Sequence, residues 1–323
     1  NLGFSQGFDH YDDGVMTGIP KQEESILTET LNSYIFNWLD TTWTSTISGT
    51  QPLYLFAYYF DPHTWYDPPA PYDILYDPTY TGTVTAEIFG HGETAKSGEL
   101  VLSARDVEHL LALYDGEITY WDAQLGMLLD KLESLGLLDN TLLVVTADHG
   151  EMFGEHGEWS HAGSLYEEVV QVPLLMRYSG VITPGLQIST AVQSMDLMPT
   201  ILDYTDITPT TSIQAISLRP LISGQTVTPT RAIYSEVDAI RNPASPLYWV
   251  SPPDDLRSVR QDNWKYIAHL LTPQADELYQ LEAASPYEQE NLVLQEPEKA
   301  QVMYWQVLGQ FFPSRVYLPL SIR

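Results

Sequence analysis

Two segments in direct succession constrain the architecture of this chain more than anything else in it. From Ser103 to Gly136, apolar residues recur on one helical face: Val107, Leu110, Leu111, Tyr114, Ile118, Trp121, Leu125, Leu128, Leu129 and Leu132. Ser103 and Asp106 are spaced as a capping box, and Gly136 stands where a helix ends. The residues Leu142 to Ala147 then form an apolar run of strand length. An earlier run of the same kind, Leu53 to Phe60, reads as a buried strand. Strand, long helix and strand make a crossover unit, which needs a parallel sheet. The expected class is α/β, a mostly parallel sheet flanked by helices.

The run Leu142 to Ala147 ends abruptly in Asp148-His149-Gly150-Glu151. In open α/β sheets, ligands bind beyond the carboxyl ends of the strands. A carboxylate and an imidazole therefore emerge where an active site belongs, and Gly150 lets the chain turn after them. Both donor types bind divalent cations. Leu53 to Phe60 ends in the same way, at Asp61-Pro62-His63.

The residues 148–173 read DHGEMFGEHGEWSHAGSLYEEVVQVP. This stretch resembles the sulfatase family of the alkaline-phosphatase superfamily, with its DHGE-x-x-GEHG block followed by LYEE and Val-Pro. Further segments resemble the same family in the same order. They are Phe60-Asp61-Pro62-His63 with Tyr66-Asp67-Pro68-Pro69, Tyr114 to Ile118, Asp196 to Thr200, and Asn263 to Ile267 followed by Glu277 to Leu281. The resemblance spans nearly the whole chain. It implies an alkaline-phosphatase-like α/β core over residues 1–206 and a small α+β subdomain over 207–323. A stretch rich in Thr, Pro and Ser, 207–230, marks the change.

The activity implied is metal-dependent hydrolysis of a sulfate ester, such as one on a carbohydrate. The resemblance makes Asp148 and His149 metal ligands. It gives His63 and His161 catalytic roles, facing the anion or protonating the leaving group. His156 is expected either in the site or in a packing role, and Glu151 is expected to orient His149. His10, His91, His109 and His269 lack matching surroundings and are expected in solvent or packing. Relatives commonly carry Asn at the place of His149; an imidazole there admits manganese or zinc beside the expected calcium.

Two parts of the family pattern have no match. The first is an Asp-Asp pair after an apolar strand: Asp12-Asp13 follows a Gly- and aromatic-rich stretch, and Asp254-Asp255 follows two prolines. The second is the nucleophile in Cys-or-Ser-x-Pro-x-Arg, for which Val227-Thr228-Pro229-Thr230-Arg231 offers Val. The expectation is that the first strand and a formylglycine nucleophile belong to a segment before Asn1, and that these residues alone are inactive. The alternatives are a phosphodiester or phosphonate-ester hydrolase or a phosphoglycerol transferase of the same superfamily, and a non-catalytic binding protein with the same fold.

Composition narrows the partners. The formal charge is −29, from 43 acidic and 14 basic residues, only 5 of them Lys. Such a balance disfavours nucleic acid and anionic membrane surfaces. A small anionic ester, such as a sulfated sugar, remains as substrate, because a metal and histidines set the field locally. There is no cysteine, hence no disulfide and no thiolate metal site. No run is long and apolar enough to span a bilayer. Both an exported and a cytoplasmic location are compatible with these features.

Overall fold

The structure is a computed structural model. It describes residues 5–11, 28–43, 51–63, 65–85, 102–161, 163–225, 231–239, 254–282 and 287–312. Asp12-Asp13, His91 and Val227 to Thr230 lie outside these residues. The chain forms two compact units, Asn1–Asp139 and Asn140–Arg323. The composition boundary near residue 207 thus falls inside the second unit.

The first unit is built on α1, Thr28–Trp38, and α2, Ala104–Ser134. The predicted capping box of α2 is formed: Asp106 N donates to Ser103 Oγ at 3.2 Å, and Ser103 N donates to Asp106 Oδ2 at 2.9 Å. At its other end Gly136 has φ 68°. There Gly136 N donates to Glu133 O at 2.8 Å and Leu137 N to Leu132 O at 2.9 Å. This paired closure satisfies carbonyls that the helix leaves open. The apolar stripe of α2 packs as its spacing requires. Leu128 and Leu132 meet Ile35 of α1 and Leu39 and Trp43 of the π-helical turn Leu39–Trp43.

Leu53 to Phe60 differs from expectation. It carries no ladder among the described residues. Leu53, Ala57 and Tyr59 pack on the α1–α2 core, whereas Tyr54, Phe56 and Tyr58 are exposed. Leu55 is exposed as well, so the alternation expected of a strand is incomplete, and among the described residues no neighbouring strand pairs with this run. The parallel crossover through this run is therefore not seen.

In the second unit, β1, Leu143–Thr146, pairs antiparallel with β4, Leu174–Arg177. Between them lie a two-residue-per-strand hairpin, β2, Met152–Phe153, with β3, Trp159–Ser160, and a single helical turn, α3, Glu167–Val170. The segments α4, Leu197–Tyr204, and α5, Arg219–Ile222, follow. A four-stranded antiparallel sheet then forms in the order β5, Ile233–Val237; β6, Leu256–Gln261; β7, Trp264–His269; β8, Glu277–Gln280. The closing helix is α6, Pro297–Phe311. Alternation along β7 divides two cores. Tyr266 and Ala268 join Ala300, Met303 and Val307 of α6, while Ile267 joins Leu165, Leu256 and Tyr279 on the other face. Among the described residues every ladder is antiparallel, and no helix is long and apolar enough to cross a membrane.

Candidate active site

At the end of β1, Thr146 Oγ1 donates to Pro173 O at 2.9 Å, tying the strand terminus to the start of β4. The chain then turns through Asp148-His149-Gly150. Gly150 N donates to Val169 O at 2.7 Å. A Cβ at Gly150 would stand 2.1 Å from Glu168 O. The close approach of the turn to α3 is thus open only to glycine.

His149 Nδ1 lies 2.9 Å from the carbonyl of Gly150. A nitrogen bonded to a carbonyl oxygen must carry the proton, so the neutral ring keeps its lone pair on Nε2. That nitrogen is 3.7 Å from Asp148 Oδ1, a spacing suited to two donors on one cation. Asp148 keeps 56% of its side chain exposed, so the carboxylate remains solvated until a ligand arrives. As a donor set, one carboxylate and one imidazole fit a divalent cation and supply two of its ligands.

His161 joins this pair. Its ring stacks on that of His149, with centroids 3.9 Å apart and planes at 22°. Its Nδ1 lies 3.3 Å from both carboxylate oxygens of Glu151. The cause is the hairpin register. Met152 is opposite Ser160, so the next pair outward is Glu151 with His161. Ser160 takes φ 68° as the chain leaves β3, a conformation that non-glycine residues adopt rarely. Glu151 therefore holds His161, where the sequence pointed to His149 as its partner. The signal that could have shown this is a hairpin register, which no local motif states.

His63 belongs to the first unit. Its N–H donates to Phe60 O at 2.9 Å, and its ring packs on Phe60 at 4.4 Å. The loop is pinned on both sides of it. Asp61 Oδ2 accepts from the backbone N–H of Thr28 at 2.8 Å and from the Thr28 hydroxyl, at the start of α1. The N–H of Asp67 donates to Glu117 Oε1 of α2 at 2.8 Å. Burial pushes the Glu117 carboxyl up to about 9; the N–H of Asp67 works against this, while the charges of Asp61 and Asp67 add to it.

Among the other described histidines, His109, His269 and His10 are held by packing and polar contacts of their own. His109 contacts Asp77 at 2.9 Å and stacks on Tyr80 at 3.7 Å; His269 bonds Glu277 at 2.8 Å; His10 stacks on Trp38. His156 stacks on Tyr166. Asp254, rejected as part of an acidic metal pair, is buried and accepts from Leu271 N, Thr272 N and Thr272 Oγ1. Sequence patterns did not single out the ionic group behind α3. There, buried Glu167 pairs with Arg260 and with Lys265, the latter at 2.7 Å, across about a hundred residues of chain.

Known proteins resemble this chain in sequence and in fold. The Sulfatase family profile matches residues 2–207, and the profile described as N-sulphoglucosamine sulphohydrolase, C-terminal, matches residues 154–308. Arylsulfatase K of Xenopus laevis is 32% identical over 204 residues, which are 62% of this chain and 36% of the relative. Choline-sulfatase of Rhizobium meliloti is 33% identical over 184 residues, 55% of this chain and 32% of the relative. N-acetylglucosamine-6-O-sulfatase of Bacteroides thetaiotaomicron is 39% identical over 108 residues, 33% of this chain and 19% of the relative. The matched stretch spans about a third of the length of the first two relatives and about a fifth of the third.

Among solved structures, a phosphonate monoester hydrolase from Silicibacter pomeroyi superposes with a TM-score of 0.69 at 22% identity, covering 95% of this chain and 66% of that one. A protein solved with its substrate D-glucosamine-2-N,6-O-disulfate gives 0.69 at 21% identity, covering 89% and 70%. At these identities the likeness speaks for the fold. Taken with a family profile that covers residues 2–207 of 323, it means that the chain belongs to the sulfatase family and has its alkaline-phosphatase-like α/β fold.

Proposed function

We propose that the protein carrying this chain hydrolyses sulfate esters, with a sulfated sugar as its substrate. The observation that carries this reading is the joint placement of Asp148, His149 and His161 at the end of β1. A proton on His149 Nδ1 turns Nε2 toward the Asp148 carboxylate, and His161 is stacked beside them. The sugar class is supported by the N-acetylglucosamine-6-O-sulfatase relative and the glucosamine disulfate complex.

In this reading Asp148 and His149 hold a divalent cation: calcium, with manganese or zinc as the alternatives that the imidazole admits. When bound, the cation neutralises charge on the transferring sulfuryl group and lowers the pKa of an oxygen nucleophile. His161, its Nδ1 edge held by Glu151, contacts the sulfate oxygens or passes a proton to the leaving alcohol. The family resemblance gives His63 a catalytic role as well, and its loop is pinned within the first unit through Asp61 and Asp67.

The test is an assay of the full reading frame that includes residues 1–323. It is run on an aryl sulfate, glucosamine 6-sulfate, an aryl phosphodiester and a phosphonate monoester, with and without chelator. The sulfate esters should turn over fastest, chelator should abolish turnover, and Asp148→Ala should not recover it at any metal concentration. Preference for the phosphodiester or phosphonate would replace the sulfatase reading by the superfamily's phosphoryl chemistry. Failure to turn over any of the four would leave a binding role.

A further inference from the structure

Apart from Asp148, His149 and His161, the second unit gathers three carboxylates in its interior. Glu167 and Glu168 are neighbours on α3, and Glu288 lies in the segment before α6. Their side chains are 3%, 10% and 0% exposed. Two cations serve them. Lys265 Nζ is 2.7 Å from Glu167 Oε1 and 2.6 Å from Glu288 Oε1. Arg260 takes the other oxygen of Glu167. The N–H of Glu167 donates to Glu288 Oε2 at 3.2 Å. Lys265 and Arg260 thus balance Glu167 and Glu288. Among the described residues, Glu168 is the surplus negative charge.

An isolated buried carboxylate is costly, so something must answer it. Glu168 Oε2 is closed to solvent and makes no hydrogen bond. His156 faces it, with Nε2 3.3 Å away. A charge-assisted N–H···O bond would be about 2.7–2.9 Å long, and this contact lacks hydrogen-bond alignment. The separation has another meaning. Two ligands on a tetrahedral cation with bonds of about 2.0–2.1 Å sit about 3.3 Å apart. One donor atom each from His156, Glu168 and Glu288 lies within 4.8 Å of the others. The imidazole is also fixed in place. It stacks on Tyr166 at 3.8 Å and 13°, and its backbone is held at φ 55°.

We propose that His156, Glu168 and Glu288 form a binding site for a divalent transition cation, zinc by its donor set, which clamps the loop between β2 and β3 to α3. Imidazole with carboxylates is a zinc-type shell. A cation that draws on Glu288 competes with Lys265 there, and Lys265 keeps Glu167 as its partner. The site shares no residue with Asp148 and His149. Its role is structural: the clamped loop leads into His161.

The experiment is equilibrium dialysis of the metal-stripped chain against Zn²⁺, with thermal unfolding measured in parallel. It compares Asp148→Ala, in which the Asp148–His149 pair is broken, with the same protein carrying His156→Gln or Glu168→Gln in addition. We expect one zinc equivalent in Asp148→Ala that both double variants lose. Zinc should raise the melting midpoint of Asp148→Ala and leave the two double variants unmoved. The added Glu168→Gln removes a surplus buried charge, so that double variant should melt no lower than Asp148→Ala without zinc, and it carries the test if the one with His156→Gln fails to fold. Absence of the zinc equivalent from Asp148→Ala, or its retention in the double variant with Glu168→Gln, would overturn the proposal. So would a metal-free double variant with Glu168→Gln that melts well below Asp148→Ala, because His156 would then be a protonated partner of Glu168.

Discussion

Gly150 sets the geometry around Asp148 and His149 by lacking a side chain. Its N–H is committed to Val169 O, and its absent Cβ is what lets Glu168 O approach. The turn cannot move outward without losing the first contact, nor admit a methyl group without disturbing the second. Gly150→Ala should therefore destabilise the second unit by about 2–3 kcal/mol, in the range of overpacked cores. It should also lower activity by displacing His149. Denaturant unfolding checks the first effect, and a midpoint within experimental error of the parent would show that the turn relaxes freely. Glu117 makes a second residue-scale case. Its folded pKa is raised from an ordinary 4.5 to about 9, chiefly by burial. Between these values the unfolded chain gives up a proton that the folded one keeps, so stability falls as pH rises. The contribution is fully present below about 4.5 and is lost by about 9. Glu117→Gln, which mimics the protonated carboxyl, should remove this slope: the variant should gain on the parent in melting midpoint from pH 5 to pH 9. Parallel pH profiles for the two proteins would contradict the raised pKa.

Elements whose signals are local were legible in the sequence, and those whose identity depends on a distant neighbour were not. The helix Ala104–Ser134 carries its own start, stripe and stop, and all three are realised. Ser103→Ala removes an acceptor for Asp106 N and should cost about 1 kcal/mol. Asp106 is also bonded to the Tyr80 hydroxyl at 2.6 Å, so Asp106→Ala should cost more than Ser103→Ala. Chemical denaturation of the two variants checks the order, and a larger loss in Ser103→Ala would mean that the Tyr80 bond contributes little. Asp148, His149 and His161 lie within one turn and hairpin, but it was the family resemblance of the stretch around them, not a local pattern, that singled out His161. Leu53 to Phe60 shows the limit. Its continuous apolar and aromatic run is visible in the sequence, but whether it becomes a strand depends on a partner. The Glu151–His161 contact needed the β2–β3 register, and Lys265 with Glu167 and Glu288 needed the packing of β7 against α3.

The whole molecule carries a charge of −29 with 14 basic residues, and several of those cations are used internally. Lys265 and Arg260 answer Glu167, Arg231 answers Asp196, and Arg257 answers Asp238 at 2.6 Å. The surface is left with a large excess of carboxylates, whose mutual repulsion opposes the folded state. Exposed charges feel salt strongly, because the Debye length shrinks from about 10 Å at 0.1 M to about 3 Å at 1 M. Buried pairs such as Lys265–Glu288, with side chains 1% and 0% exposed, are screened far less. The expected outcome is a melting midpoint that rises by several degrees between low salt and about 1 M NaCl, most steeply at the low end. Sodium sulfate would stabilise through burial as well, so NaCl is the cleaner probe. Partial neutralisation of surface carboxylates, for example Glu290→Gln with Glu298→Gln, should flatten the low-salt part of the curve. A midpoint that is flat or falling with NaCl would show that the acidic surface is not under net repulsion, and that its charges are spaced widely enough to be screened by water alone.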